Sequence, residues 1–122
     1  TKNHKLLKNY DHILKQKNSF CGDEIVISIK IKNKKVLKIG YSCKSCIYTE
    51  ASASMLSGYL KNKSFGEIQD IVLELNKFCM KQTKKLPKKL STLSKIINNE
   101  NLSRKDCLLL PFNAIKKMIS GI

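Results

Sequence analysis

The 122-residue sequence predicts an α+β fold, with a small antiparallel sheet of two or three strands and helices packed on one face. Two changes of period predict it. Over Glu24–Lys32, Ile25, Ile27, Ile29 and Ile31 alternate with Ser28, Lys30 and Lys32, the pattern of a strand with one buried face. After Gly40 the apolar residues fall three and four apart instead, the spacing of an amphipathic helix.

Each element follows from its residues. Asn33, Lys34 and Lys35 form a turn, and residues 36–41 alternate again, with Leu37, Ile39 and Tyr41 on one side. Two such runs joined by a short polar turn make an antiparallel hairpin. Residues 1–20 are polar and Lys-rich, with scattered anchors at Leu6, Leu7, Tyr10, Ile13 and Leu14. They read as an irregular arm or a marginal helix, and a third strand, if present, comes from residues before Cys21. The first long helix carries Ile47, Ala51, Met55, Leu56, Tyr59 and Leu60. Ser64 and Glu67 form a capping box that opens a second helix with a stripe of Ile68, Ile71, Val72, Leu75, Phe78 and Cys79. Residues 81–89 hold five lysines and Pro87, a solvated connector. Leu90, Leu93, Ile96 and Ile97 suggest a short third helix. A last helical segment, capped by Ser103, carries Cys107, Phe112, Ile115 and Ile119, and Pro111 should kink or restart it.

Length and composition set bounds. The length fits one domain, 1–122, and 42% hydrophobic residues suffice for a real core. The net charge is +15, from 24 Lys plus Arg against 9 acidic residues, and Arg104 is the only arginine. Readers of nucleic acid lean on the planar fork of Arg, so the lysine excess points first to general composition, then to an acidic partner, and last to nucleic acid. The chain begins at Thr1, so further residues are expected before it. No stretch reads as a signal peptide or a membrane span, and no membrane partner is expected. An odd set of five cysteines argues against a full disulfide framework. The expected compartment is the reducing cytoplasm, where thiols are available for metal or sulfur chemistry.

Those thiols carry the chemistry. Cys21-Gly22-Asp23 stands immediately before the first strand of the hairpin, and Gly22 permits the tight backbone that points a thiolate and a carboxylate the same way. Cys46 stands at the mouth of the first long helix, whose N-terminus stabilises a thiolate. Cys107 lies near the start of the last helical segment. Three thiolates and a carboxylate suit tetrahedral zinc, or an iron–sulfur cluster with one weak oxygen ligand. Buried cysteines are common as plain core residues. Cys79, on a helix stripe, is assigned to the core, whereas Cys21, Cys46 and Cys107 sit at element ends. Cys43 forms a C-x-x-C with Cys46, a spacing that can bind metal or cycle as a dithiol, and it is expected on the loop from strand to helix. The small residues Ala51, Ser52, Ala53 and Ser54 serve close packing. His4 and His12, in the polar arm, are expected at the surface. There is no Ser/His/Asp order, phosphate loop or pair of catalytic carboxylates to support a conventional hydrolase.

Three blocks resemble the SufU/IscU (NifU N-terminal-like) iron–sulfur cluster scaffolds: Cys21-Gly-Asp-Glu-Ile25, Cys46-Ile-Tyr-Thr-Glu-Ala-Ser-Ala-Ser-Met55, and Arg104-Lys-Asp-Cys107-Leu-Leu-Leu-Pro-Phe-Asn-Ala114. The resemblance spans roughly residues 19–119. It implies a SufU/IscU-like fold and four ligands, Cys21, Asp23, Cys46 and Cys107, gathered at the surface around a transient 2Fe–2S cluster or a zinc ion. It implies a non-enzymatic scaffold that takes sulfur from a cysteine desulfurase and passes a cluster to apo iron–sulfur proteins. A zinc-dependent sulfurtransferase, with Cys46 as sulfur acceptor, is the alternative, and a zinc-stabilised nucleic-acid binder a remote one. The long segment before Cys107 and the Asp106 in front of it, where the IscU branch has His, favour the SufU branch. The sequence departs from the family at Cys43, usually Gly, in the shortened stretch before Arg104, and in showing no opening helix.

Overall fold

The computed structural model describes residues 9–17, 22, 24–44, 47–81 and 85–121. Four antiparallel strands lie in the order β1 (His12–Lys17), β2 (Glu24–Lys32), β3 (Lys35–Lys44) and β4 (Lys63–Ser64). Three α-helices complete the fold: α1 (Ile47–Tyr59), α2 (Phe65–Cys79) and α3 (Lys105–Ser120). The α+β expectation stands, but the sheet has four strands rather than two or three. The extra one, β4, is only two residues long and pairs with Lys35 and Val36, so no period could reveal it.

β1 occupies part of the arm that reads as irregular. Its only residue packed on the core is Leu14, while Ile13 is 45% exposed. Pairing with β2 from His12↔Ile29 to Lys17↔Glu24 holds it instead, and Asp11 clasps its start: Ile31 donates its N–H to the Asp11 carboxylate at 2.7 Å. Backbone pairing of this kind leaves no mark in side-chain hydropathy.

The hairpin turn places Asn33 and Lys34 at φ 53° and 60°, the left-handed pair that matches strand twist in a two-residue turn. A register shift between Lys30 and Ile31 then brings Val36 opposite Ile31, while Ile29 faces Ile39 and Ile27 faces Tyr41. Val36 is therefore fully buried and Leu37 only partly so, reversing the expected face at that point. One inserted residue flips the alternation.

α2 follows its sequence pattern throughout: Ile68, Ile71, Val72, Leu75, Phe78 and Cys79 are all buried. Glu67 donates its N–H to the Ser64 hydroxyl at 3.2 Å and accepts from the Ser64 N–H at 3.1 Å, closing the box. Those bonds from the Ser64 backbone and side chain hold the Glu67 carboxyl below the usual range. A depressed carboxylate stabilises the fold above its ordinary pKa and loses that effect as pH falls through the folded value. Glu67→Gln should therefore lower Tm at neutral pH and leave it nearly unchanged at acid pH, as melts across a pH series will show.

Beyond α2, the expected short third helix is replaced by 3₁₀ turns at Lys88–Leu90, Leu93–Lys95 and Asn99–Arg104. Leu90, Leu93 and Ile97 are fully buried, so the anchors were right although their spacing is met by tighter turns. α3 starts directly from the last of these, with Arg104 rather than Ser103 at its N-cap. It also runs unbroken through Pro111, so the helix does not restart there. α1 and α3 pack against each other and against β1, β2 and β3, so the helices cover one sheet face.

Candidate functional site

One end of the sheet collects the chemistry-bearing segments. Glu24, which follows Asp23, is the register partner of Lys44, which precedes Ser45 and Cys46. Cys21, Asp23 and Cys46 themselves lie outside the described residues, as does His4. Chain connectivity nevertheless ties both segments to this end. Lys15 reaches the Glu24 carboxylate at 2.8 Å, and this hydrogen bond is the main cause of its lowered pKa.

Cys107 belongs to the same neighbourhood. It is the third residue of α3 and 3% exposed, so the expected surface position gives way to near-complete burial. Its carbonyl accepts a hydrogen bond from Thr49 Oγ1 at 3.1 Å. Thr49 stands in the first turn of α1, three residues beyond Cys46. The Leu108 carbonyl likewise accepts from the Ser52 hydroxyl.

The face of α1 that makes these bonds is not the one its apolar residues suggest. Thr49, Ser52, Ala53 and Leu56 are buried, whereas Ile47 is 75% exposed and Ala51 is exposed. Hydropathy misses this because half of the buried face is polar and satisfied by α3 carbonyls. Sequence reasoning also missed Tyr48. The Arg104 guanidinium lies over its ring, 5.4 Å from the centroid, and joins the first turn of α1 to the start of α3. The signal was there in the sole arginine of a lysine-rich chain, since a flat guanidinium stacks on a ring as an ammonium does not.

Cys43 is not on a loop. It lies in β3 opposite Ile25, 8% exposed, within the hydrophobic core. Beside it, burial pushes the Tyr41 phenol up, and the neighbouring Ser54 hydroxyl pulls it down less strongly. Cys79 is buried in the core as expected, and that burial pushes its thiol up. His12 is exposed on β1. Among the described residues, no three His, Cys, Asp or Glu side chains group as a metal site, and no helix is long and apolar enough to cross a membrane.

Known proteins share both sequence and fold. An uncharacterized protein of Borreliella burgdorferi is 28% identical over 114 residues, covering 93% of this chain and 75% of that protein. The fold is similar to a putative iron–sulfur cluster assembly scaffold protein for the SUF system from Fervidobacterium islandicum. The TM-score is 0.86 at 19% identity, over 97% of this chain and 87% of that one. It is also similar to a nitrogen-fixing NifU-like protein (N-terminal) from Brucella abortus, with a TM-score of 0.79 at 16% identity over 95% and 81% of the two chains. Residues 2–102 match the NifU-like N terminal domain, a stretch that takes in the sheet, α1 and α2 and stops short of Cys107. The chain therefore belongs to the NifU-like N-terminal domain family.

Proposed function

We propose that residues 1–122 form one iron–sulfur cluster assembly scaffold domain of the SUF type. It takes sulfur from a cysteine desulfurase, builds a labile cluster on Cys21, Asp23, Cys46 and Cys107, and delivers it to apo iron–sulfur proteins. The observation that carries this is the pairing of Glu24 with Lys44 at the sheet end to which Thr49 ties Cys107. All four donors lie within three residues of those anchors along the chain. Family membership supports the role, and the likeness to the Fervidobacterium SUF-system protein supports the branch. The donor chemistry is consistent with cargo that must leave, because three soft thiolates hold iron and sulfide while a hard carboxylate holds them poorly.

Anaerobic reconstitution with ferrous iron, cysteine, a desulfurase and a thiol reductant, which supplies the electrons that turn persulfide sulfur into sulfide, is the test. The expected product contains iron and acid-labile sulfide in equal amounts and converts an apo-ferredoxin to its holo form. A protein that instead keeps stoichiometric zinc and accepts persulfide sulfur on Cys46, with no sulfide-containing product, would be a sulfurtransferase and not a scaffold.

A further inference from the structure

α3 contains a proline at its centre and yet does not break. Proline has no N–H, and its ring crowds the carbonyl four residues earlier. For Pro111 that carbonyl belongs to Cys107. Cys107 is 3% exposed, so the N–H that Pro111 cannot supply is withdrawn from a carbonyl in a buried setting. Thr49 Oγ1 donates to that carbonyl at 3.1 Å in place of the absent N–H, and the Ser52 hydroxyl donates to the carbonyl of Leu108, whose helix donor, the Phe112 N–H, the proline does not remove. Thr49 and Ser52 stand three apart on one face of α1, and both are fully buried. Two wholly buried hydroxyl residues are unusual on the core face of a helix. Their donors explain them, and the gap left by Pro111 explains the first.

We propose that Pro111 and Thr49 form a positioning clamp. The proline frees the Cys107 carbonyl from its own helix, and Thr49 takes it, setting the backbone of Cys107 against the first turn of α1, which begins one residue after Cys46 in the sequence. Thr49 is a positioning residue and not a ligand. The consequence for metal binding rests on the proposed ligand set, whereas the clamp itself does not. Ordinary helix packing would need a hydroxyl at position 49 whether or not position 111 is proline. The clamp needs it only because of the proline.

The test combines both residues in the metal-free protein and in its cobalt(II) form. Thr49→Val keeps the shape and removes the donor, so it should lower the folding equilibrium constant and the Co(II) affinity by about tenfold each, the effect of one buried unsatisfied carbonyl. Thr49→Ser keeps the donor and should restore the thiolate-to-cobalt absorption band. In a Pro111→Ala background the helix supplies its own N–H to Cys107, so adding Thr49→Val should cost at most about twofold. If Thr49→Val alone does not fold, rescue by Pro111→Ala supports the clamp and failure of rescue overturns it. Equal losses from Thr49→Val in both backgrounds overturn the clamp. Unchanged Co(II) affinity in Thr49→Val overturns the positioning role. Cys107→Ser in the same titration separates the two ideas: if it leaves the cobalt band intact, the ligand set falls, while non-additive unfolding still decides the clamp.

Discussion

Cys46→Ser is expected to abolish cluster assembly, while Cys43→Ser, three residues away, leaves iron and sulfide content unchanged. Cys46 immediately precedes α1 in the sequence, and the positive end of a helix dipole favours a thiolate and so a ligand or nucleophile. A serine oxygen at that position is a harder donor with a far higher pKa and holds iron poorly beside sulfide. Cys43 is a β3 residue opposite Ile25, with its side chain in the core. Its substitution should act on the fold, lowering stability by about 1–2 kcal/mol as a hydroxyl replaces a buried thiol. Iron and sulfide analysis after reconstitution, with urea unfolding of the same samples, reads both effects. Loss of the cluster in the Cys43 variant would make that thiol a ligand, or a resolving partner for Cys46.

Asp23→Ala should stabilise the bound cluster and slow its delivery to an apo-ferredoxin by about tenfold, equivalent to roughly 1.4 kcal/mol on the exchange barrier. The carboxylate is the weakest of the four proposed donors, so it defines the exit path. It is also next to Glu24, whose charge is already engaged by Lys15 at 2.8 Å and Lys17 at 3.7 Å. Stopped-flow transfer from equal amounts of loaded protein makes the comparison, and equal or faster delivery from the variant would remove Asp23 from the exit step.

Much of the architecture is written locally. The alternation in Glu24–Lys32 depends only on which side chains can face a core, and β2 follows it at Ile25, Ile27 and Ile29, although Ser28 on the opposite face is buried as well. α2 is stated twice, by its stripe and by its Ser64–Glu67 box, because both are interactions between neighbours in the chain. The candidate donors also stand out by position: Cys79 sits on a stripe and is buried, while Cys21 and Cys46 flank the elements that meet at one sheet end. Three features needed the folded chain. β1 and β4 are held by backbone bonds that carry no side-chain code. Cys43 joins the core because β3 runs on to Lys44, a length that pairing with Glu24 and Ile25 determines. Pro111 reads as a break in α3 until Thr49, 62 residues before it in the sequence, is seen to donate to the Cys107 carbonyl, the one whose helix N–H the proline removes. By itself the sequence determined the periods and the cap, since each arises between near neighbours. Only the tertiary structure decided which backbone groups lack a partner and which distant side chain supplies one, because a buried carbonyl must be satisfied by whatever the fold brings within reach.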